Sequence, residues 1–144
     1  MERIKGRRLG NRTKENLMNV NPVLSAVAVF AMLYFSEVDF TVTEGKRTPE
    51  RQAQLVKQGA SQTYKSYHVD NDGNPIDAEA FDAYPIDPKT GKLVTDNKTE
   101  YQKELWNKLN KGIQGAATML SVKITWGGTW KTLVDMPHWQ MEGY

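Results

Sequence analysis

The chain contains no cysteine, which excludes a disulfide framework and every thiolate metal site. Any metal would have to be held by His, Asp or Glu. Histidine is nearly as scarce, with two among 144 residues. The most apolar stretch, residues 23–35 (VLSAVAVFAMLYF), falls short of the ~20 residues that a membrane-spanning helix needs. Ser36-Glu37-Val38 follow it instead of a small-residue cleavage site, so it is not read as a signal peptide, and no export signal or stable membrane insertion is expected. Low-complexity tracts and internal repeats are missing as well. The net charge is only +2, too mild to argue for nucleic acid, and no nucleic-acid motif accompanies it.

What is present suits a globular protein: 39% hydrophobic and 25% charged residues over 144 positions. That is enough for one core, so a single domain over residues 1–144, folding alone as a monomer, is expected. The positive charge is unevenly spread. Arg3, Lys5, Arg7, Arg8, Arg12 and Lys14 crowd the first fourteen residues against Glu2 alone. The plain reading of this basic segment, residues 1–15, is a solvated arm or helix face; the sharper one is attraction to an anionic polymer such as cell wall or lipopolysaccharide.

Residues 23–35 read as a buried core helix, with Asn21 as cap and Pro22 in the first turn. VDFTVTEG, residues 38–45, alternates apolar and polar with the period of a half-buried strand. Thr48-Pro49-Glu50 opens a short helix that Gly59 stops, and a polar stretch leads from there to His68. Residues 69–77 (VDNDGNPID) are turn formers throughout and read as a loop. AEAFDAYP, residues 78–85, resumes a strand, and residues 98–120 carry a helical apolar pattern interrupted by Gly112 and Gly115. VKITW and LVDMPHWQM, on either side of Gly127-Gly128, close the chain as a pair of strands. Short strands without a βαβ rhythm predict a small α+β domain, helices packed on a mostly antiparallel sheet.

The two histidines focus the search for chemistry. The first context is Ser66-Tyr67-His68, followed beyond the loop by Ala80-Phe81-Asp82-Ala83-Tyr84-Pro85; the second is Trp126-Gly127-Gly128-Thr129-Trp130, followed by Asp135-Met136-Pro137-His138-Trp139. Here the sequence resembles the zinc peptidase family that contains D-alanyl-D-alanine carboxypeptidases and phage L-alanyl-D-glutamate endolysins. Its marks are S-x-H, then A-x-D, then a terminal D-x-P-H followed by an aromatic. The likeness includes Asn16-Leu17 with Val20-Asn21-Pro22, Val38-Asp39-Phe40, and the segment from Glu44 through Arg47 to Gln52, so it covers roughly residues 13–141.

The resemblance implies a zinc ion held by His68, Asp82 and His138 in a cleft at the sheet edge, with Asp135 as general base. It implies further that Arg47 lies in the cleft, binding a substrate carboxylate or stabilising the developing oxyanion, and that Ser66 orients the ligand loop or binds substrate. Two imidazoles and one carboxylate suit a catalytic zinc, which keeps a position for water. This chain departs from the pattern in three places. A longer loop separates His68 from Asp82, so Asp70, Asp72 and Asp77 compete as ligands; Asp82 is preferred because AFDAYP keeps the strand around it. Thr129 stands where an acid is common, and Gln140 where Glu is common, changes that bear on support around the metal. The function implied is a phage or prophage endolysin cutting the L-alanyl-D-glutamate bond of peptidoglycan, made in the host cytoplasm and reaching the periplasmic wall after the membrane is breached. A D,D-carboxypeptidase or dipeptidase on the same fold, and a non-catalytic wall-binding module, are the alternatives.

Overall fold

The computed structural model describes residues 1–45, 57 and 78–142. The expected helix from Thr48 to Gly59, the loop at residues 69–77, and Arg47, Ser66 and His68 lie outside the described residues, Lys57 excepted.

After a short helix α1 (Asn11–Leu17), the chain enters α2 (Pro22–Phe30) as the sequence predicts. The side chain of Asn21 accepts from the N–H groups of Val23 and Leu24, and Pro22 occupies the first turn, where its missing N–H costs nothing. The expected single helix to residue 35 changes character part-way. Ala31–Phe35 form a π-helical turn, closed by Ser36 N–H on the Ala31 carbonyl at 2.8 Å. The last helix, α3 (Glu100–Met119), starts from a complete capping box: Thr99 accepts from the Gln102 N–H, and Gln102 reaches back to the Thr99 N–H. Gly112 and Gly115 do not break it. They are where the π-turn segment comes closest, since a Cβ on Gly112 would stand 2.5 Å from the Ser36 Cα.

Among the described residues, four strands form one antiparallel sheet: β1 (Phe40–Glu44), β2 (Ala80–Pro85), β3 (Ile124–Trp126) and β4 (His138–Met141), in the order β1-β2-β4-β3. The strand expected over LVDMPHWQM begins only at His138. Pro137 offers no N–H to a ladder, while its carbonyl accepts from the Ala83 N–H at 2.8 Å. Alternation along the strands sorts the sheet into two faces. Phe40, Val42, Phe81, Ala83, Trp139 and Met141 are buried in the core with Leu24, Val27 and Met32, and with Leu109 and Ile113 of α3. This is the α+β arrangement the sequence predicts. The intervening positions, among them Asp82, His138 and Gln140, belong to the opposite face.

The amino-terminal segment is more than a solvated arm. The Ile4 N–H donates to the Leu33 carbonyl at 2.7 Å, and Arg7, its side chain 9% exposed, donates to the Met32 carbonyl at 2.8 Å and lies 3.9 Å from Asp39. Burial pushes the Arg7 pKa down, with Asp39 opposing. Arg3, Lys5, Arg8, Arg12 and Lys14 are exposed, as expected. Beyond the arm, α1 covers the outer edge of β1. The Thr13 hydroxyl accepts the Val42 N–H at 3.1 Å, and the Asn16 amide donates to the Val42 carbonyl at 3.0 Å. Both groups of an edge residue are thereby satisfied where another strand could otherwise pair.

Candidate active site

Asp82 and His138 are direct partners across the β2–β4 ladder, so their side chains rise side by side from the same face. The register places the Asp82 Oδ1 3.5 Å from the His138 Nδ1. Both stand on inner strands of the sheet, rather than on an edge strand. Directly behind them, on the core face, Phe81, Trp139 and Trp126 are themselves register partners. Their rings stack with centroids 6.0 Å and 5.8 Å apart and interplanar angles of 15° and 11°. A rigid aromatic floor therefore fixes the backbone that carries the site.

Asp135 comes from the segment before β4. Its N–H donates to the Gly127 carbonyl at 3.0 Å, its carbonyl accepts the His138 N–H at 3.2 Å, and the Trp126 indole donates to the neighbouring Met136 carbonyl at 2.6 Å. Gly127 permits this docking, because a Cβ there would stand 2.3 Å from the Asp135 carbonyl oxygen. The Asp135 Oδ2 lies 4.0 Å from the same His138 Nδ1, and its side chain is 47% exposed against 8% for His138. The imidazole is enclosed further by Trp130, whose ring centroid is 5.3 Å away, and its Nε2 lies 2.8 Å from the Gln140 Oε1.

The electrostatics favour a cation. Burial works against a charged His138 ring, but the hydrogen bond and charge of Asp82, the contact with Gln140 and the charge of Asp135 together raise its pKa. Tyr84 is raised too, by burial first and then by Asp82, Asp135 and Glu44, with Arg12 opposing. Among the described residues, the charges acting on these two rings are mostly those of carboxylates.

The structure brings together three of the predicted residues, Asp82, Asp135 and His138, while Arg47, Ser66 and His68 lie outside the described residues. Among the described residues no three His, Asp or Glu side chains complete a metal cluster. The pair that is described fits zinc. Two ligands bonded to a tetrahedral ion at ~2.1 Å sit roughly 3.4 Å apart, against the 3.5 Å between Asp82 Oδ1 and His138 Nδ1. The parts that sequence reasoning did not place are Trp130 over the imidazole and Gly127 beneath Asp135. The only sequence signal for either was the W-G-G-T-W run itself.

Comparisons with known proteins agree with this architecture. The crystal structure of the L-Ala D-Glu endopeptidase ChiX of Serratia marcescens is similar over 95% of this chain and 91% of its own, with a TM-score of 0.76 and 31% identity. The L-alanyl-D-glutamate peptidase of Listeria phage A118 is 31% identical over 136 residues, 90% of this chain. The chain spans 42% of that relative's length. The profile of the phage L-alanyl-D-glutamate peptidases matches residues 5–142. With a sheet that sets Asp82 against His138 and a family match over almost its whole length, the chain belongs to the phage L-alanyl-D-glutamate peptidase family.

Proposed function

We propose that this chain hydrolyses the L-alanyl-D-glutamate bond of peptidoglycan stem peptides with the help of one zinc ion held by His68, Asp82 and His138. The observation that carries the reading is the convergence of Asp82 and Asp135 on one nitrogen of His138, at 3.5 Å and 4.0 Å, in a chain of this family. Zinc, when bound, would supply Lewis acidity, lowering the pKa of a water to about 7 and polarising the scissile carbonyl.

The protein's own residues divide the remaining work. Asp82 and His138 would hold the ion, a role supported by their low exposure and by the β2–β4 register that keeps their backbones opposite one another. Asp135 would take the proton of the attacking water and pass it to the departing amine of D-glutamate, a role that its half-exposed side chain beside the pair supports. Arg47 would bind a stem-peptide carboxylate or the developing oxyanion with its fixed fork of donors, and Ser66 would orient the segment that carries His68. The chain is proposed to act as a monomer, made in the host cytoplasm and reaching the wall after the membrane is breached.

The test is mass analysis of fragments released from purified peptidoglycan by the zinc-loaded protein. The expected products are muramoyl-L-alanine ends and peptides with a new amino-terminal D-glutamate. Release of terminal D-alanine alone would show a carboxypeptidase instead. Binding to the wall without release of any fragment would show a non-catalytic module.

A further inference from the structure

The contact between Gln140 and His138 has a direction. An amide oxygen accepts hydrogen bonds and cannot donate, so the 2.8 Å approach of Gln140 Oε1 to His138 Nε2 is favourable only when Nε2 carries a hydrogen. In the neutral ring the other nitrogen, Nδ1, then carries the lone pair, and Nδ1 is the atom that faces Asp82 and Asp135. In the opposite tautomer a lone pair would point at the amide oxygen, and Nδ1 would present a hydrogen where a ligand is needed.

We infer that Gln140 is a positioning residue, holding His138 in the one tautomer and orientation that offers Nδ1 to a cation shared with Asp82. The inference rests on the metal site proposed above. Gln140 lies two residues beyond His138 on β4, hence on the same face of the strand. Its backbone is fixed from both sides, paired with Ala80 on β2 and Thr125 on β3. The strand thereby holds the Gln140 backbone at a fixed place relative to the ring, from which its Oε1 reaches Nε2 at 2.8 Å, and Trp130 at 5.3 Å limits the ring's own rotation. Because the amide is neutral, it constrains the imidazole without adding charge to a face that already holds Asp82 and Asp135. Ligating histidines generally need such a partner on the distal nitrogen, and its loss typically weakens metal binding by about 10- to 100-fold.

Two substitutions separate this role from simple packing. Gln140→Met keeps the length of the side chain and removes the acceptor; Gln140→Glu keeps the acceptor. Zinc affinity is measured for wild type and both variants by competition with a chromophoric chelator. The metal-free thermal midpoint of each is recorded alongside. The expected result is an affinity ~10- to 100-fold weaker in Gln140→Met and at least the wild-type affinity in Gln140→Glu. Long-range proton–nitrogen spectra of the zinc-loaded wild type are simple to read with two histidines in the chain, and His138 should show a protonated Nε2 and a metal-bound Nδ1. Equal zinc affinity in wild type and Gln140→Met, or a lower metal-free midpoint as the only change, would overturn the role of Gln140 and leave the zinc site standing. Zinc bound through Nε2 would overturn it without recourse to any variant. A wild type that binds no zinc would overturn the metal site and this inference together.

Discussion

His138 and Asp135 stand three residues apart, joined by a turn that the His138 N–H closes on the Asp135 carbonyl, yet their surroundings give them different tasks. The histidine side chain is 8% exposed and the aspartate 47%, so one suits a ligand and the other a group that must meet water and substrate. Asp135→Asn should therefore keep the fold and the zinc while losing on the order of a hundredfold or more in hydrolysis, because an amide cannot accept the proton. Turnover of released wall peptides, measured beside bound zinc, checks this, and near-normal turnover would remove Asp135 from the role. His138→Ala should instead lose zinc outright, read by metal analysis against about one equivalent in wild type. That Asp82, Asp135 and His138 come together was anticipated through the resemblance of A-x-D and D-x-P-H to the family's motifs, and the strand register bears out their proximity. Gln140 stood out in the sequence only as a departure bearing on support around the metal; its 2.8 Å contact with the His138 ring depends on strand register.

Among the elements, the helices were the easier to read. Asn21-Pro22 is a capping signal that acts through neighbours in sequence, and α2 starts where these residues place it; the last helix, expected from residue 98, starts at Glu100 behind the box that Thr99 and Gln102 form. Gly112 and Gly115 were harder, because helix propensity registers the backbone entropy of glycine and cannot register what packs against it. In α3 the missing Cβ at Gly112 is what lets Ser36, at the end of the π-turn, approach the helix. Gly112→Ala, which would stabilise an exposed helix by up to ~1 kcal/mol, should here reverse sign. The new methyl would meet the backbone of Ser36 at 2.5 Å, and overpacking of this kind typically costs about 1–3 kcal/mol. Urea denaturation should show a lower midpoint at an unchanged slope. A midpoint equal to or above wild type would mean that the π-turn yields more readily than the close approach implies.

At the scale of the whole molecule, the sheet is both the wall of the core and the base of the site. The apolar side of that arrangement followed from alternation, whereas the order β1-β2-β4-β3, which makes Asp82 and His138 neighbours, depends on long-range pairing that local sequence does not encode. The pairing has a consequence for metal removal. The site strands are already held by the β2–β4 ladder, by the stacked Phe81, Trp139 and Trp126 rings, and by two helices packed behind them. The fold should therefore form without zinc, unlike small domains whose only core is the metal. Zinc that binds the folded chain alone should still stabilise it by mass action, by about 2.7 kcal/mol when its free concentration is a hundred times the dissociation constant. For a domain of this size that corresponds to a rise of roughly 5–10 °C in the thermal midpoint. Chelation should thus give a protein with wild-type far-ultraviolet circular dichroism, a sharp melt and a lower midpoint, and added zinc should restore the midpoint in wild type but not in His138→Ala. Loss of the cooperative melt on chelation would show that the ion, rather than the ladder and the aromatic stack, holds these strands together.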